Sequence, residues 1–260
     1  MKEKIQAVLD TLEKKHDCRN LFAVEGGSRA WGFASPDSDY DVRAVYVRPA
    51  EWYLRLDENP PDVWTEMLPD DLDISAWDIR KAFVHLLKSN PAFLEWLGSP
   101  IIYRDMGLAG ELSPFLPDVF NPVHAVHHYA SMFRHAAEDR TPDGTISIKK
   151  LCYALRANVA VRWILLHGTM PPTEFWKTLD GADIAPETRQ AVDELVAVKA
   201  TTGGKERIVP KDALLPLLFD REREIRAFKP KNTTDSTAQI KDVLERIFFA
   251  RALAITRQIR

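Results

Sequence analysis

Cysteine is nearly missing: Cys18 and Cys152 are the only two in 260 residues. Two such thiols make neither a disulfide framework nor a zinc-ligand spacing, and a reducing cytoplasm is the expected compartment. No apolar run approaches the roughly 20 residues a membrane-spanning helix needs, so no membrane role is expected. The opening MKEKIQAVLDTLEKKH is too charged to read as a secretory leader. Internal repeats and low-complexity tracts are missing too. There is no excess of one charge sign: the formal net charge is -3. The chain as a whole therefore does not advertise nucleic-acid binding, although a local basic surface remains open. At 45% hydrophobic and 28% charged residues, it reads as a soluble globular protein with enough apolar side chains for a core.

What is there sorts into two halves. Ile5, Val8, Leu9 and Leu12 fall at i, i+3, i+4 and i+7, the spacing of an amphipathic helix. LFAVE (21–25) reads as a short strand, GGSRAWG as a strand-to-helix or strand-to-loop corner, and SPDSD as turn chemistry. YDVRAVYVRP reads as a strand stopped by Pro49. VWTEM (63–67) and DLDISAW (71–77) are further strands parted by a Pro-Asp-Asp turn. WDIRKAFVHLLKS has helical spacing and ends at Asn90-Pro91; AFLEWL is a short helix and PIIYR a final strand. Beyond residue 107 helical patterns dominate, at 122–139, 145–167, 172–180, 186–200, 211–228 and 237–259, separated by Gly and Pro clusters. The expected architecture is α+β. A small mixed β-sheet domain with flanking helices covers 1–106, and an all-helical domain covers 107–260. A cleft between two such halves is a common place for a small-molecule site.

The stretch EGGSRAWGFASPDSDYDVRAVYV (25–47) carries the chemistry. Alternate side chains of a strand share a face, so Asp39, Asp41 and Arg43 project to one side. Tyr40, Val42 and Ala44 project to the other, toward a core. Two carboxylates this close raise each other's pKa, and a divalent cation between them makes the arrangement favourable. Upstream, Gly26 and Gly27 let backbone approach a ligand closely, and Ser28 with free N–H groups at a helix start can hold phosphate oxygens. The bland alternative is a polar turn running into a strand, with Asp39 as a turn residue.

Gly27-Ser28, about ten residues, then Asp39-Tyr40-Asp41 resembles the signature of the DNA-polymerase-β-type nucleotidyltransferase superfamily. The fuller string GSRAWGFASPDSDYDVR is similar to one branch of it, predicted bacterial nucleotidyltransferases of which some occur beside RNA-repair genes. DLDISAWDIRK, LLKSNPAFLEWLGSPIIY and KKLCYALRANVAVRWI resemble the same branch, so the likeness spans roughly residues 20 to 180. It implies transfer of a nucleoside monophosphate from a nucleoside triphosphate to an acceptor hydroxyl, with pyrophosphate released. It also implies Mg²⁺, or Mn²⁺, as cofactor. The acceptor it suggests is an RNA end, in RNA repair or at a tRNA 3′ end. A protein hydroxyl, a small molecule, or a non-catalytic nucleotide- or RNA-binding role are the alternatives.

The resemblance asks for a third carboxylate on a neighbouring strand. DLDISAWD offers Asp71, Asp73 and Asp78. Asp73 lies deepest in the strand and is the expected one, as general base or as support for a metal; Asp71 reads as a turn residue and Asp78 as a helix cap. Asp39, Asp41 and Asp73 would then hold two metal ions, and Ser28 with backbone near Gly27 would grip the β and γ phosphates. Arg29 or Arg43 could neutralise developing charge. Arg43 could equally do no more than offset the repulsion of the aspartates. In SIKKLCYALRANVAVRWILL, Ile148, Leu151, Cys152, Leu155, Val159 and Trp163 form a core stripe. Lys149, Tyr153 and Arg156 form an adjacent stripe that suits a triphosphate and a stacked base, or a solvated helix edge.

Other features carry less. His124, His127, His128 and His135 crowd one helix, but no H-E-x-x-H pattern or acidic partner accompanies them. TTGGKERIVPK (201–211) lacks the Lys-Ser/Thr ending of a P-loop and reads as a mobile loop, one whose basic residues could touch an RNA backbone. Arg251, Arg257 and Arg260 read as solvent charges or a weak polyanion contact.

Overall fold

The computed structural model describes residues 1–56, 61–219, 221–230 and 237–259. Along the chain run α1 (Lys2–His16), β1 (Arg19–Glu25), α2 (Ser28–Trp31), β2 (Tyr40–Val47), α3 (Ala50–Tyr53), β3 (Val63–Leu68) and β4 (Leu72–Asp78). Then come α4 (Ile79–Leu87), α5 (Pro91–Leu97), β5 (Ile102–Asp105), α6 (Leu108–Leu112), α7 (Leu116–Val119) and α8 (Pro122–Ala137). The remainder is β6 (Ile146–Ser147), α9 (Ile148–His167), α10 (Phe175–Asp180), α11 (Pro186–Thr202), β7 (Arg207–Ile208), α12 (Glu222–Ala227) and α13 (Thr237–Ile259). The fold is α+β, with a mixed five-stranded sheet in the order β3-β4-β2-β1-β5. β2 and β4 run parallel; every other neighbouring pair in this sheet is antiparallel.

By its contacts the chain divides into two units. The first holds Met1–Gly27, Asp39–Val119 and α13; the second holds Ser28–Ser38 and the described residues from Phe120 to Pro230. This differs from a division at 106/107. The main boundary falls at Val119/Phe120, and two segments, 28–38 and α13, group with the unit remote from them in sequence.

The sheet of the first unit shows period-two patterning. Ala23, Val42, Ala44, Tyr46, Leu72 and Ile74 point to one face, where Ile5, Leu9 and Leu12 of α1 cover them. Trp77 lies on the other face beside Phe93 and Trp96 of α5, the latter ring 4.3 Å away. α13 is tied in by hydrogen bonds of Thr256 Oγ1, which accepts from Ala50 N and donates to Glu51, each at 2.9 Å. Arg251, expected as a solvent charge, pairs with Glu111 at 2.7 Å. Arg260 lies outside the described residues, and Arg257 lies within α13.

In the second unit α9 is central. Leu151, Cys152, Leu155 and Val159 are buried among Phe175, Leu179, Val192, Leu195, Leu214 and Leu217, with Trp31 and Phe33 in the same core; Trp163 is half-buried. The unit is not all-helical, because β6 and β7 pair as a short antiparallel ribbon. That ribbon takes Arg207–Ile208 from the stretch 201–211, and Thr201 and Thr202 close α11; its other residues are loop. The helix expected over 211–228 is broken into a 3-10 turn, Asp212–Leu217, and α12. Pro216 has no N–H to give and stops the α-helical ladder. No helix among the described residues is long and apolar enough to cross a membrane.

Candidate active site

The acidic residues expected to act together meet through the parallel pair β2–β4. Asp70 and Asp71 both take positive φ, at 65° and 54°, and turn the chain into β4. Asp71 is thus a turn residue, and its carbonyl accepts the Tyr40 N–H at 2.7 Å. That hydrogen bond sets the register in which Asp41 stands opposite Asp73. Both carboxylates lie on the sheet face away from α1, half-buried at 25% and 28% exposure. Arg43, two residues along β2, donates from one nitrogen, Nη2, to Asp41 Oδ1 at 2.7 Å and to Asp73 Oδ2 at 2.8 Å. The guanidinium therefore offsets the repulsion of the pair in this arrangement.

Two glycines make room for this. A Cβ on Gly27 would overlap the Asp41 carboxylate, and one on Gly26 would run into the Arg43 side chain. Gly26 N also donates to Asp41 O at 2.8 Å. Below them lies Glu25, with no exposed surface. Its Oε1 accepts the Asp41 N–H at 2.8 Å, its Oε2 accepts the Tyr103 hydroxyl at 2.5 Å, and its carbonyl accepts from Ser99 Oγ at 2.6 Å. Sequence reasoning passes over Glu25 and Tyr103. The available signal is a lone acid ending the apolar run LFAVE just before two glycines.

Asp39 is exposed and precedes β2. Asp78 is fully buried and caps α4, accepting the Arg80 N–H at 2.9 Å and the Tyr53 hydroxyl at 2.8 Å; burial pushes its carboxyl above the ordinary range. Among the described residues no three His, Cys, Asp or Glu side chains form a group able to hold a metal ion. That includes the histidines of α8: His124, His127 and His135 are exposed and His128 is half-buried. The donor chemistry at Asp41 and Asp73 does fit a hard divalent cation, since two carboxylate oxygens converge within 2.8 Å of one cationic nitrogen.

The remaining expected residues belong to the second unit. Ser28 opens the one-turn α2, is buried, and accepts from the N–H groups of Gly32 and Phe33, each at 3.1 Å. Arg29 Nη2 donates to Ser38 O at 2.7 Å. Tyr153 meets Trp31 edge-on at 5.3 Å. Arg156 is only 6% exposed, with its guanidinium 4.0 Å over the Trp31 ring and 5.9 Å from that of Tyr129. Arg156 and Tyr153 thus pack against α2, and Lys149 is the exposed member of the trio. Its backbone N–H donates to Gly204 O at 2.9 Å.

Residues 1–246 match the model of the RNA repair pathway DNA polymerase beta family. Of curated proteins, the uncharacterized protein YcgL of Bacillus subtilis (strain 168) is 40% identical over 200 residues, 76% of each chain. A solved nucleotidyltransferase-like protein from Exiguobacterium sibiricum 255-15 is similar over 86% of this chain and 75% of its own, with 13% identity and a TM-score of 0.33.

Proposed function

Because the chain belongs to the RNA repair pathway DNA polymerase beta family, we propose that it transfers a nucleoside monophosphate from a nucleoside triphosphate to an acceptor hydroxyl, and that the acceptor is an RNA end. The observation that carries this reading is the facing pair Asp41 and Asp73, register partners on parallel strands with their carboxylates on one nitrogen of Arg43. Asp41 and Asp73 would hold Mg²⁺ or Mn²⁺; Asp39, exposed just before β2 and not grouped with them in this arrangement, would join as third carboxylate only on binding. When bound, such a cation lowers the pKa of an attacking hydroxyl and neutralises charge on the phosphates.

The chain's own residues do the rest. Asp73 accepts the proton of the acceptor hydroxyl. Gly26 and Gly27 present bare backbone beside the carboxylates. Ser28 and Arg29 bind the outer phosphates, and Arg43, released from the aspartates, meets charge developing at the reacting phosphorus. Lys149 adds a cation for the triphosphate, while Tyr153 offers its ring to the base. Arg156 acts by holding Trp31 and Tyr153 in place, because its guanidinium is buried against the Trp31 ring.

One observation favours a second reading. Arg43 already neutralises Asp41 and Asp73, which suits a module that binds nucleotide and transfers nothing. Incubation of the protein with Mg²⁺ or Mn²⁺ and each α-labelled nucleoside triphosphate separates the two. Acceptors are RNAs with 3′ hydroxyl ends, tRNA and the protein itself, with Asp41→Ala as control. Label on RNA, lost in the variant, is the expected result. Label on protein alone makes the activity AMPylation. Nucleotide binding without transfer to any acceptor selects the binding module.

A further inference from the structure

The 28–38 segment is held by a buried cation that the reading above does not use. Lys199 lies in the last turn of α11 and is 2% exposed. Its Nζ donates to Phe33 O at 2.8 Å and to Ser35 Oγ at 3.0 Å, and it sits 5.7 Å from the centre of the Phe33 ring. Among the described residues no carboxylate forms an ion pair with it. Burying an ammonium costs several kcal/mol unless it is paired, and two neutral acceptors offset only part of that. The carbonyl end of α11 offsets a little more. A methionine would fill the same volume without this cost. What the lysine adds is two bonds to the segment and a positive charge beneath it.

Its neighbours carry the same sign. Arg29 binds the segment at Ser38 O, and Lys149 is joined through its N–H to Gly204 O. Asp37 joins them: it accepts from Ser35 and from the Gly204 N–H, which hold its carboxyl below the ordinary range. It also lies against Gly203, where a Cβ would come within 2.9 Å of its carboxylate. Lys199, Arg29, Lys149 and Asp37 thus meet around one turn. The Lys199 ammonium beneath it, in no ion pair among the described residues, suits an incoming polyanion.

We propose that Lys199 is a positioning residue that fixes segment 28–38 and keeps the turn electropositive for the triphosphate of the substrate nucleotide. The identity of the ligand rests on the nucleotide-transfer reading; the anchoring and the charge do not. Burial lowers the pKa of Lys199, Cys152 and Asp37 act to raise it, and Lys149 and Arg29 lower it further. The ammonium is therefore lost at lower pH than a solvated lysine's.

The test is calorimetric titration of the full chain with inorganic tripolyphosphate, which needs no chemistry and no acceptor. Lys199→Met is expected to weaken binding about tenfold and Lys199→Arg to weaken it less, while a short single-stranded RNA binds both as it binds the wild type. The wild type should also lose affinity faster than Lys199→Met as pH rises toward 10. Where Lys199→Met does not fold, Ser35→Ala, which removes one of the two acceptors, should weaken tripolyphosphate binding by about threefold. The proposal is overturned if Lys199→Met binds tripolyphosphate within twofold of wild type with only its Tm lowered. It is overturned too if RNA binding falls as steeply, or if the wild type binds no tripolyphosphate. A wild type that binds tripolyphosphate through Lys199 yet transfers nothing leaves the proposal standing and removes the transfer reading.

Discussion

Glu25 Oε1 accepts the backbone N–H of Asp41 at 2.8 Å, so a carboxylate without exposed surface fixes the start of the strand that carries the candidate metal ligand. Tyr103 satisfies its other oxygen. Glu25→Gln keeps an acceptor for Asp41 and lets the tyrosine hydroxyl reverse its role. It should fold with a loss of about 1 kcal/mol. Glu25→Ala strands both donors and leaves a cavity, for a loss of roughly 2–4 kcal/mol. Urea denaturation reads both values. Equal losses for the two variants would mean that the contact to Asp41 contributes nothing.

Gly27→Ala tests how tightly the site is built. Its Cβ has no place except that of the Asp41 carboxylate, so the carboxylate must leave Arg43. The stability cost should stay near 1–3 kcal/mol, as for other overpacked positions. Nucleotide transfer should fall far more than stability does. A variant with full transfer activity would show that Asp41 can act from another position.

How much of this is legible in the sequence depends on the range of the contact. The strands, and the face shared by Asp41 and Arg43, follow from period-two alternation within eight residues of β2. The turn role of Asp71 and the cap at Asp78 are local chemistry, and both hold. What Arg43 touches is not local. It depends on β2 and β4 pairing in parallel across about thirty residues, and no local pattern states that register. The same limit hides Lys199, whose acceptors lie more than 160 positions away. An amphipathic stripe likewise says that α13 packs, but not on what, so its grouping with the sheet unit is invisible to periodicity. Arg156 illustrates a different gap: a cation on a helix reads as solvent-facing until an aromatic ring such as Trp31 is found to cover it.

Asp78 should leave a mark on the pH dependence of stability. Burial raises its pKa above the ordinary 3.8, so between the unfolded and folded values the native state binds the extra proton. Stability contributed at this site is then highest at low pH and falls as pH rises through that window. Asp78→Asn keeps an acceptor for the Arg80 N–H and carries no charge. The difference in unfolding free energy, wild type minus variant, should therefore decrease from pH about 4 to pH 7. A difference that grows over that range would mean that the Tyr53 and Arg80 hydrogen bonds outweigh burial.

Arg43 separates a site built for a cation from one that is already complete. Its Nη2 sits within 2.8 Å of both Asp41 and Asp73, which is where a divalent ion would draw the same oxygens. Arg43→Met removes that charge and leaves two half-buried carboxylates facing each other. The free protein should lose about 1–3 kcal/mol, because the two carboxylates then repel each other with no guanidinium between them. If the pair is a metal platform, Mn²⁺ should raise the Tm of Arg43→Met by several degrees more than it raises that of the wild type, because the ion no longer competes with the guanidinium. Asp41→Asn placed on the same background should abolish that gain. Calorimetric scans with and without Mn²⁺ decide the matter without any acceptor or labelled nucleotide. If Mn²⁺ shifts neither protein, Asp41 and Asp73 serve as partners of Arg43 alone, and the transfer reading loses its cofactor site.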